Sequence, residues 1–169
     1  MYGILLEGLR IYLMENCSTE TRDVIAAKFS VCLSEPFAQE GMHPCDLILR
    51  MAMVASDLTG TNKQDILFGS GVCLMHSLFK SNYFNIIRVL GRELGSFLNS
   101  LDYLHEHLIL KFPKMSPPRF NCLRVCEAGI TLKYITRRTW CIHYARGMLQ
   151  AIVTGLYKIN TKIVVSPFC

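Results

Sequence analysis

The 169-residue chain lacks any uninterrupted apolar run near the ~20 residues that a bilayer span needs. Its apolar opening, Tyr2 to Met14, is broken by Glu7 and Arg10. A charged leader and a small-residue cleavage site are also missing, so no signal peptide is expected and the expected compartment is the cytoplasm. Charge is scarce as well. Asp, Glu, Lys and Arg make up 18% of the chain, the net charge is a modest +5, and the basic residues are dispersed, with Arg137 and Arg138 paired beside Trp140. Without a basic face or a recognisable module, nucleic acid is not an expected partner. There is no nucleophile–base pair, phosphate-cradling glycine loop or carboxylate dyad, so no enzymatic activity is expected of this chain alone. Internal repeats, linkers and low-complexity stretches are absent, which favours one domain over 1–169.

Apolar surface is what the chain has in excess. The apolar fraction is 51% and the mean hydropathy +0.28; an oligomer interface or an internal pocket for an apolar ligand would use the surplus. Eight cysteines (17, 32, 45, 73, 122, 126, 141 and 169) are scattered through the segments and read as reduced thiols. Cys122-x3-Cys126 with Cys141-x-His143 carries zinc-type ligands at a loose spacing. A zinc or thiol redox sensor is therefore one alternative function.

Periodicity predicts helices first. Ile4, Leu5, Gly8, Leu9, Ile11 and Tyr12 form a stripe ending near Asn16 and Cys17, and Ser18 or Thr19 caps a second helix over 21–31. Further helices are predicted over 46–58, 63–80 and 85–98, then a short one around His105. Gly69 and Gly71 fall inside the fourth helix, where glycine costs up to about 1 kcal/mol against alanine. They imply either close approach of a flat ligand or tight helix packing. After Pro113, Pro117 and Pro118 the pattern changes to alternation over 119–123 and 130–135 about a turn at Ala128-Gly129, a hairpin signature. A helix over 141–157 and a strand over 160–165 complete an α+β arrangement.

Two constellations carry chemistry. Leu101, Leu104, His105 and Leu108 share one helical face, which sets an imidazole among leucines. A histidine there is either a hydrogen-bonded core residue or a metal ligand. His107, two residues on, points elsewhere, while His43 and His76 lack supporting motifs. In an extended chain Tyr134, Thr136 and Arg138 share one face; phenol, hydroxyl and guanidinium suit a pair of carboxylates, or else form a polar hairpin edge.

Together with the opening Met1-Tyr2-Gly3-Ile4-Leu5-Leu6-Glu7 and the runs Arg88-Val89-Leu90-Gly91-Arg92 and Phe97-Leu98-Asn99-Ser100-Leu101-Asp102-Tyr103-Leu104-His105, these motifs resemble the H-NOX (haem–nitric oxide/oxygen binding) domain. The likeness is nearest to the N-terminal sensor domain of soluble guanylate cyclases of the atypical invertebrate type. It runs from Met1 to about Val165.

The resemblance implies a haem b cofactor in a pocket between a helical subdomain and a helix-plus-sheet unit. It makes His105 the iron ligand and Tyr134, Thr136 and Arg138 the anchors of the haem propionates, with Thr136 in place of the family's serine. Pro118, thirteen positions after His105, matches the proline that presses on the macrocycle, and Ile4 and Leu5 fall where the first helix touches it. Anchored on Gly147, Tyr144 takes the position over the gas ligand; a one-residue loop difference would put His143 there. A tyrosine at that place donates to dioxygen, and Leu9 and Leu74 would give it no polar support.

The implied function is a gas sensor for dioxygen, nitric oxide or both, reporting to a guanylate cyclase subunit or another signalling protein. In that reading nitric oxide weakens the bond to His105 and frees its helix. The family continues through further strands beyond this chain, so a fragment, a truncated product and a stand-alone sensor are all open. A haem-free interaction module on the same fold is the second alternative.

Overall fold

The computed structural model describes residues 1–126 and 129–166. Its elements are α1 (Gly3–Asn16), α2 (Thr19–Phe29), α3 (Leu47–Thr59), α4 (Lys63–Phe79), α5 (Tyr83–Val89), α6 (Leu94–Asn99), α7 (Leu101–Lys111), β1 (Arg119–Cys126), β2 (Gly129–Ile135) and α8 (Cys141–Gly155). The α+β class expected from the alternation is the one observed. Local signals set several boundaries. Ser18 Oγ accepts the Thr21 N–H at 3.3 Å to start α2, and Asn62 Oδ1 accepts the Gln64 N–H at 2.8 Å to start α4, each satisfying a donor the helix cannot. Gly60 ends α3 in the left-handed region at φ 72°, where glycine carries no Cβ penalty.

Burial divides into two clusters. The first gathers Leu6, Leu9 and Leu13 of α1, Ile48 and Met51 of α3, Ile66, Leu67 and Leu74 of α4, and Tyr144 of α8. The second gathers Met75, Ile87, Phe97, Leu98, Leu101, Ala151 and Ile152, with Phe120 and Leu132 of the hairpin against it. Helix α4 joins them. It crosses α8 where Gly71 faces the Tyr144 carbonyl and Gly147 faces the Phe68 carbonyl, with no room for a Cβ at either. Gly69 packs against the Tyr12 ring. The glycines of α4 thus serve helix packing, the second of the two options left by the sequence.

Glu7 and Arg10, which interrupt the apolar stripe of α1, pair with each other at 2.6 Å and also hold the following loop, through Arg10 to the Leu33 carbonyl and the Phe37 N–H to Glu7. Their mutual hydrogen bond raises the Arg10 pKa. The pair is what lets two charges sit half-buried on a core helix.

Three expectations are corrected. The helix foreseen over 85–98 is two short helices, because the chain turns at Leu90–Glu93. Gly91 there lies against the Phe97 backbone, and its carbonyl accepts the Tyr157 hydroxyl at 2.8 Å. The turn delivers both Ile87 and Phe97 to one core. The segment 160–165 is not a strand. Its backbone is tied to α8 by Gln150, which donates to the Thr161 carbonyl at 2.8 Å and accepts the Ile163 N–H at 3.1 Å. Among the described residues the sheet is therefore the antiparallel pair β1–β2, with Phe120 opposite Tyr134, Cys122 opposite Leu132 and a register shift between Cys122 and Arg124. Thr136 and Arg138 lie beyond β2 in the connection to α8, so the shared strand face extends only to Tyr134. Of the expected turn, Gly129 opens β2; Ala128 lies outside the described residues, as does Cys169. Among the described residues no helix is long and apolar enough to cross a membrane.

Candidate functional site

One largely apolar cavity draws its walls from both clusters. Ile4 and Leu5 of α1, Leu74 of α4, Leu104, His105 and Leu108 of α7, Pro118, Phe120, Tyr134, Thr136 and Arg138 from the hairpin region, and Tyr144 and Met148 of α8 all line it. All eight residues singled out from the sequence and the resemblance therefore face one space, although Ile4 and Tyr144 are 140 positions apart in the chain. His105, Pro118, Thr136 and Arg138 also border a polar groove with Asp102, Glu106, Arg119 and Arg137. That groove is the cavity's wet margin.

The leucine stripe of α7 carries His105 inward. Burial pushes its pKa below the usual imidazole value, opposed by the Asp102 carboxylate and the Pro118 carbonyl. The ring is therefore neutral at neutral pH, the ligating form. Its Nδ1 is buried and makes no hydrogen bond among the described residues, although the Pro118 carbonyl is near enough to favour the protonated ring. The ring stacks on Phe120 with centroids 5.8 Å apart and planes at 27°, and Phe120 in turn meets Tyr134 at 5.2 Å. One helical turn before His105, Asp102 accepts the Phe120 N–H at 2.8 Å.

The polar end is built around Arg138. Its N–H donates to Thr136 Oγ1 at 3.1 Å, and its guanidinium reaches Cys45 Sγ at 3.7 Å. Among the described residues Arg138 has no carboxylate partner. Burial pushes the Tyr134 phenol up to about 12, against the pull of Thr136 and Arg138, so the phenol stays protonated. Two hydroxyls and a guanidinium without a carboxylate partner among the described residues, at the margin of an apolar slot, suit a ligand with carboxylates at one end.

On α8, Tyr144 is buried and lines the cavity, whereas His143 does not. Of the two registers open from sequence, the tyrosine is the one facing inward. Its hydroxyl donates to the Leu5 carbonyl at 2.7 Å. His107 is exposed on α7 and packs on Tyr103 at 4.4 Å. Half-buried His43 packs edge-on to Phe37, and His76 is exposed. The zinc-type set of Cys122, Cys126, Cys141 and His143 is not assembled: among the described residues no three His, Cys, Asp or Glu side chains are placed to hold a metal ion.

Sequence reasoning passed over Phe120 and the role of Asp102. Asp102 precedes His105 by three positions and so shares its side of the helix, and the hairpin register places Phe120 against Tyr134. Both were available as signals. The Cys45–Arg138 contact had none, because 93 residues separate the two.

A helical domain carrying a small hairpin, an apolar slot with one inward neutral imidazole, and a guanidinium at its open margin define a haem-pocket class of domain. The haem-NO-binding family matches residues 2–165. The chain belongs to that family and is an H-NOX domain. Soluble guanylate cyclase gcy-31 of Caenorhabditis elegans is 30% identical over 164 residues, covering 96% of this chain and 23% of that protein. Soluble guanylate cyclase 89Db of Drosophila melanogaster is 24% identical over 160 residues, covering 95% and 24%. The chain thus spans about a quarter of the length of these relatives. Among solved structures, an oxygen-binding H-NOX domain related to soluble guanylate cyclases, in its oxygen complex, superposes with a TM-score of 0.74 at 20% identity, over 94% of this chain and 81% of that one. An H-NOX protein from S. oneidensis in the Fe(II)NO ligation state gives 0.73 at 16% identity, over 91% and 84%. These likenesses show the fold.

Proposed function

We propose that this chain is a single haem-based gas-sensor domain over 1–169 that holds haem b and reports dioxygen or nitric oxide to a guanylate cyclase catalytic region or another signalling partner in the cytoplasm. The observation that carries the reading is the convergence of eight residues from four separated segments on one apolar cavity. Haem, when bound, would supply an iron able to take a diatomic gas. His105 would hold that iron through its imidazole, kept neutral by burial. Arg138, Tyr134 and Thr136 would hold the propionates at the wet margin. Pro118 on one wall and Ile4 and Leu5 on another would press on the ring, and Tyr144 would face the gas.

The protein's own contacts determine what His105 can pass on. Helix α7 is joined to the hairpin by Asp102 and by the His105–Phe120 stack. At its far end Lys111 donates to the Tyr83 hydroxyl at 3.0 Å, and Tyr83 donates to Gln39 at 3.2 Å. A change in the pull on His105 is therefore felt along α7 at two anchored ends. A partner follows the signal only if it binds the two arrangements with different affinity.

Haem content tests the reading. Wild-type protein titrated with haem is expected to saturate at one equivalent. Arg138→Ala is expected to fold normally and release haem several-fold faster to an apolar acceptor. No saturable binding would overturn the proposal in favour of a haem-free interaction module.

A further inference from the structure

Tyr144 has one proton to donate, and in this structure the proton is already committed. The tyrosine is 4% exposed, burial holds its phenol protonated, and the hydroxyl donates to the Leu5 carbonyl at 2.7 Å. Leu5 lies in the first turn of α1. A carbonyl has two lone pairs, so Leu5 can serve both the helical ladder and the phenol. The hydroxyl lies against Gly8, where an added Cβ would overlap it together with the Ser70 carbonyl and Leu74 Cβ. With a single proton, the phenol cannot donate to an acceptor in the cavity while keeping Leu5.

We propose that the Leu5 carbonyl is the resident acceptor of the Tyr144 proton, that a hydrogen-bond-accepting gas competes with it, and that the winning gas detaches α8 from the first turn of α1. The inference rests on the reading that Tyr144 faces the gas. Dioxygen held by a ferrous haem would carry partial negative charge and accept a hydrogen bond, whereas carbon monoxide would accept one weakly. The two gases therefore leave α1 in different states. Affinity is affected too: the hydrogen bond gained by dioxygen is offset by the one lost at Leu5, so the tyrosine confers less affinity than an uncommitted one would.

The first turn of α1 is well placed to pass this on. The Gly3 N–H donates to the Gly41 carbonyl at 2.8 Å and the Ile4 N–H to the Gln39 carbonyl at 3.3 Å. Gln39 accepts from Tyr83, which holds Lys111 at the end of α7. The Leu5 link and the His105 helix thus meet at the loop around Gln39.

Hydrogen–deuterium exchange of haem-loaded protein tests the inference in three ferrous states: without gas, with carbon monoxide and with dioxygen. Dioxygen alone is expected to speed exchange in the first turns of α1, by about fivefold for one lost hydrogen bond. In Tyr144→Phe all three states are expected to exchange at the fast rate, with dioxygen dissociating faster than from wild type. If the variant speeds dissociation while wild-type α1 is equally protected under both gases, the inference falls and the placement of Tyr144 stands. If the variant leaves dissociation unchanged, the placement itself is wrong and the inference goes with it. Failure of wild type to form a dioxygen complex overturns the inference and leaves a nitric oxide sensor.

Discussion

The Asp102 carboxylate accepts the backbone N–H of Phe120 at 2.8 Å, and this bond joins the helix that carries His105 to the first strand of the hairpin. It spans 18 residues of chain that include the proline-rich turn. Alanine at 102 leaves the half-buried Phe120 N–H without its acceptor. A hydrogen bond to a charged group is worth about 1.5–3 kcal/mol, and for a chain of this size each kcal/mol moves the melting temperature by about 2–4 °C. Asp102→Ala is expected to melt several degrees lower in a calorimetric scan, with Asp102→Asn close to wild type. An unchanged melting temperature in the alanine variant would show that the bond contributes nothing net.

Helices α4 and α8 touch backbone to backbone at Gly71 and Gly147. A methyl group at Gly147 would overlap the Phe68 carbonyl and force the helices apart. Overpacking of this kind costs about 1–3 kcal/mol, and separation of α4 from α8 also shifts Tyr144 in the cavity wall. Gly147→Ala is expected to lower the urea midpoint at unchanged slope and to weaken haem binding. A wild-type midpoint would mean the helices give way freely.

Acid sensitivity follows from His105. Burial is the largest cause of its lowered pKa, with Asp102 and the Pro118 carbonyl opposing. Burial lowers His43 and His143 as well. A histidine whose folded pKa lies below its unfolded value of about 6.5 binds fewer protons in the folded state. Stability from these groups is then complete above the unfolded pKa and declines as pH falls from there toward the folded values. Urea midpoints of the haem-free protein are expected to hold from about pH 8 to about pH 7 and to drop below about pH 6.5. In His105→Leu the acid drop is expected to be shallower. An equal drop in wild type and variant would assign the effect to the other two histidines.

Much of the architecture was legible in the residues because local signals agreed with packing. Ser18 marked a helix start, the leucines around His105 marked a buried face, and alternation marked both hairpin strands. Two of the three misreadings share one physical origin. Leu90–Glu93 and 160–165 have the side chains of a helix and a strand, yet their backbones are claimed by distant partners, Tyr157 in the first case and Gln150 in the second. Local propensity carries no record of such contacts. The candidate site divides the same way. The inward face of α7 could be read from spacing, whereas the bond from Tyr144 to Leu5 crosses 139 residues. Only the folded chain reveals that the phenol is already occupied.

The central claim, that His105 is the axial ligand of a haem in this cavity, is tested most directly by the visible spectrum of reduced His105→Gly with and without added imidazole. The expected result is a Soret band that is weak or absent alone and regains the wild-type position when imidazole fills the vacated place. Full haem retention with an unchanged wild-type spectrum in the variant, without imidazole, would contradict the account.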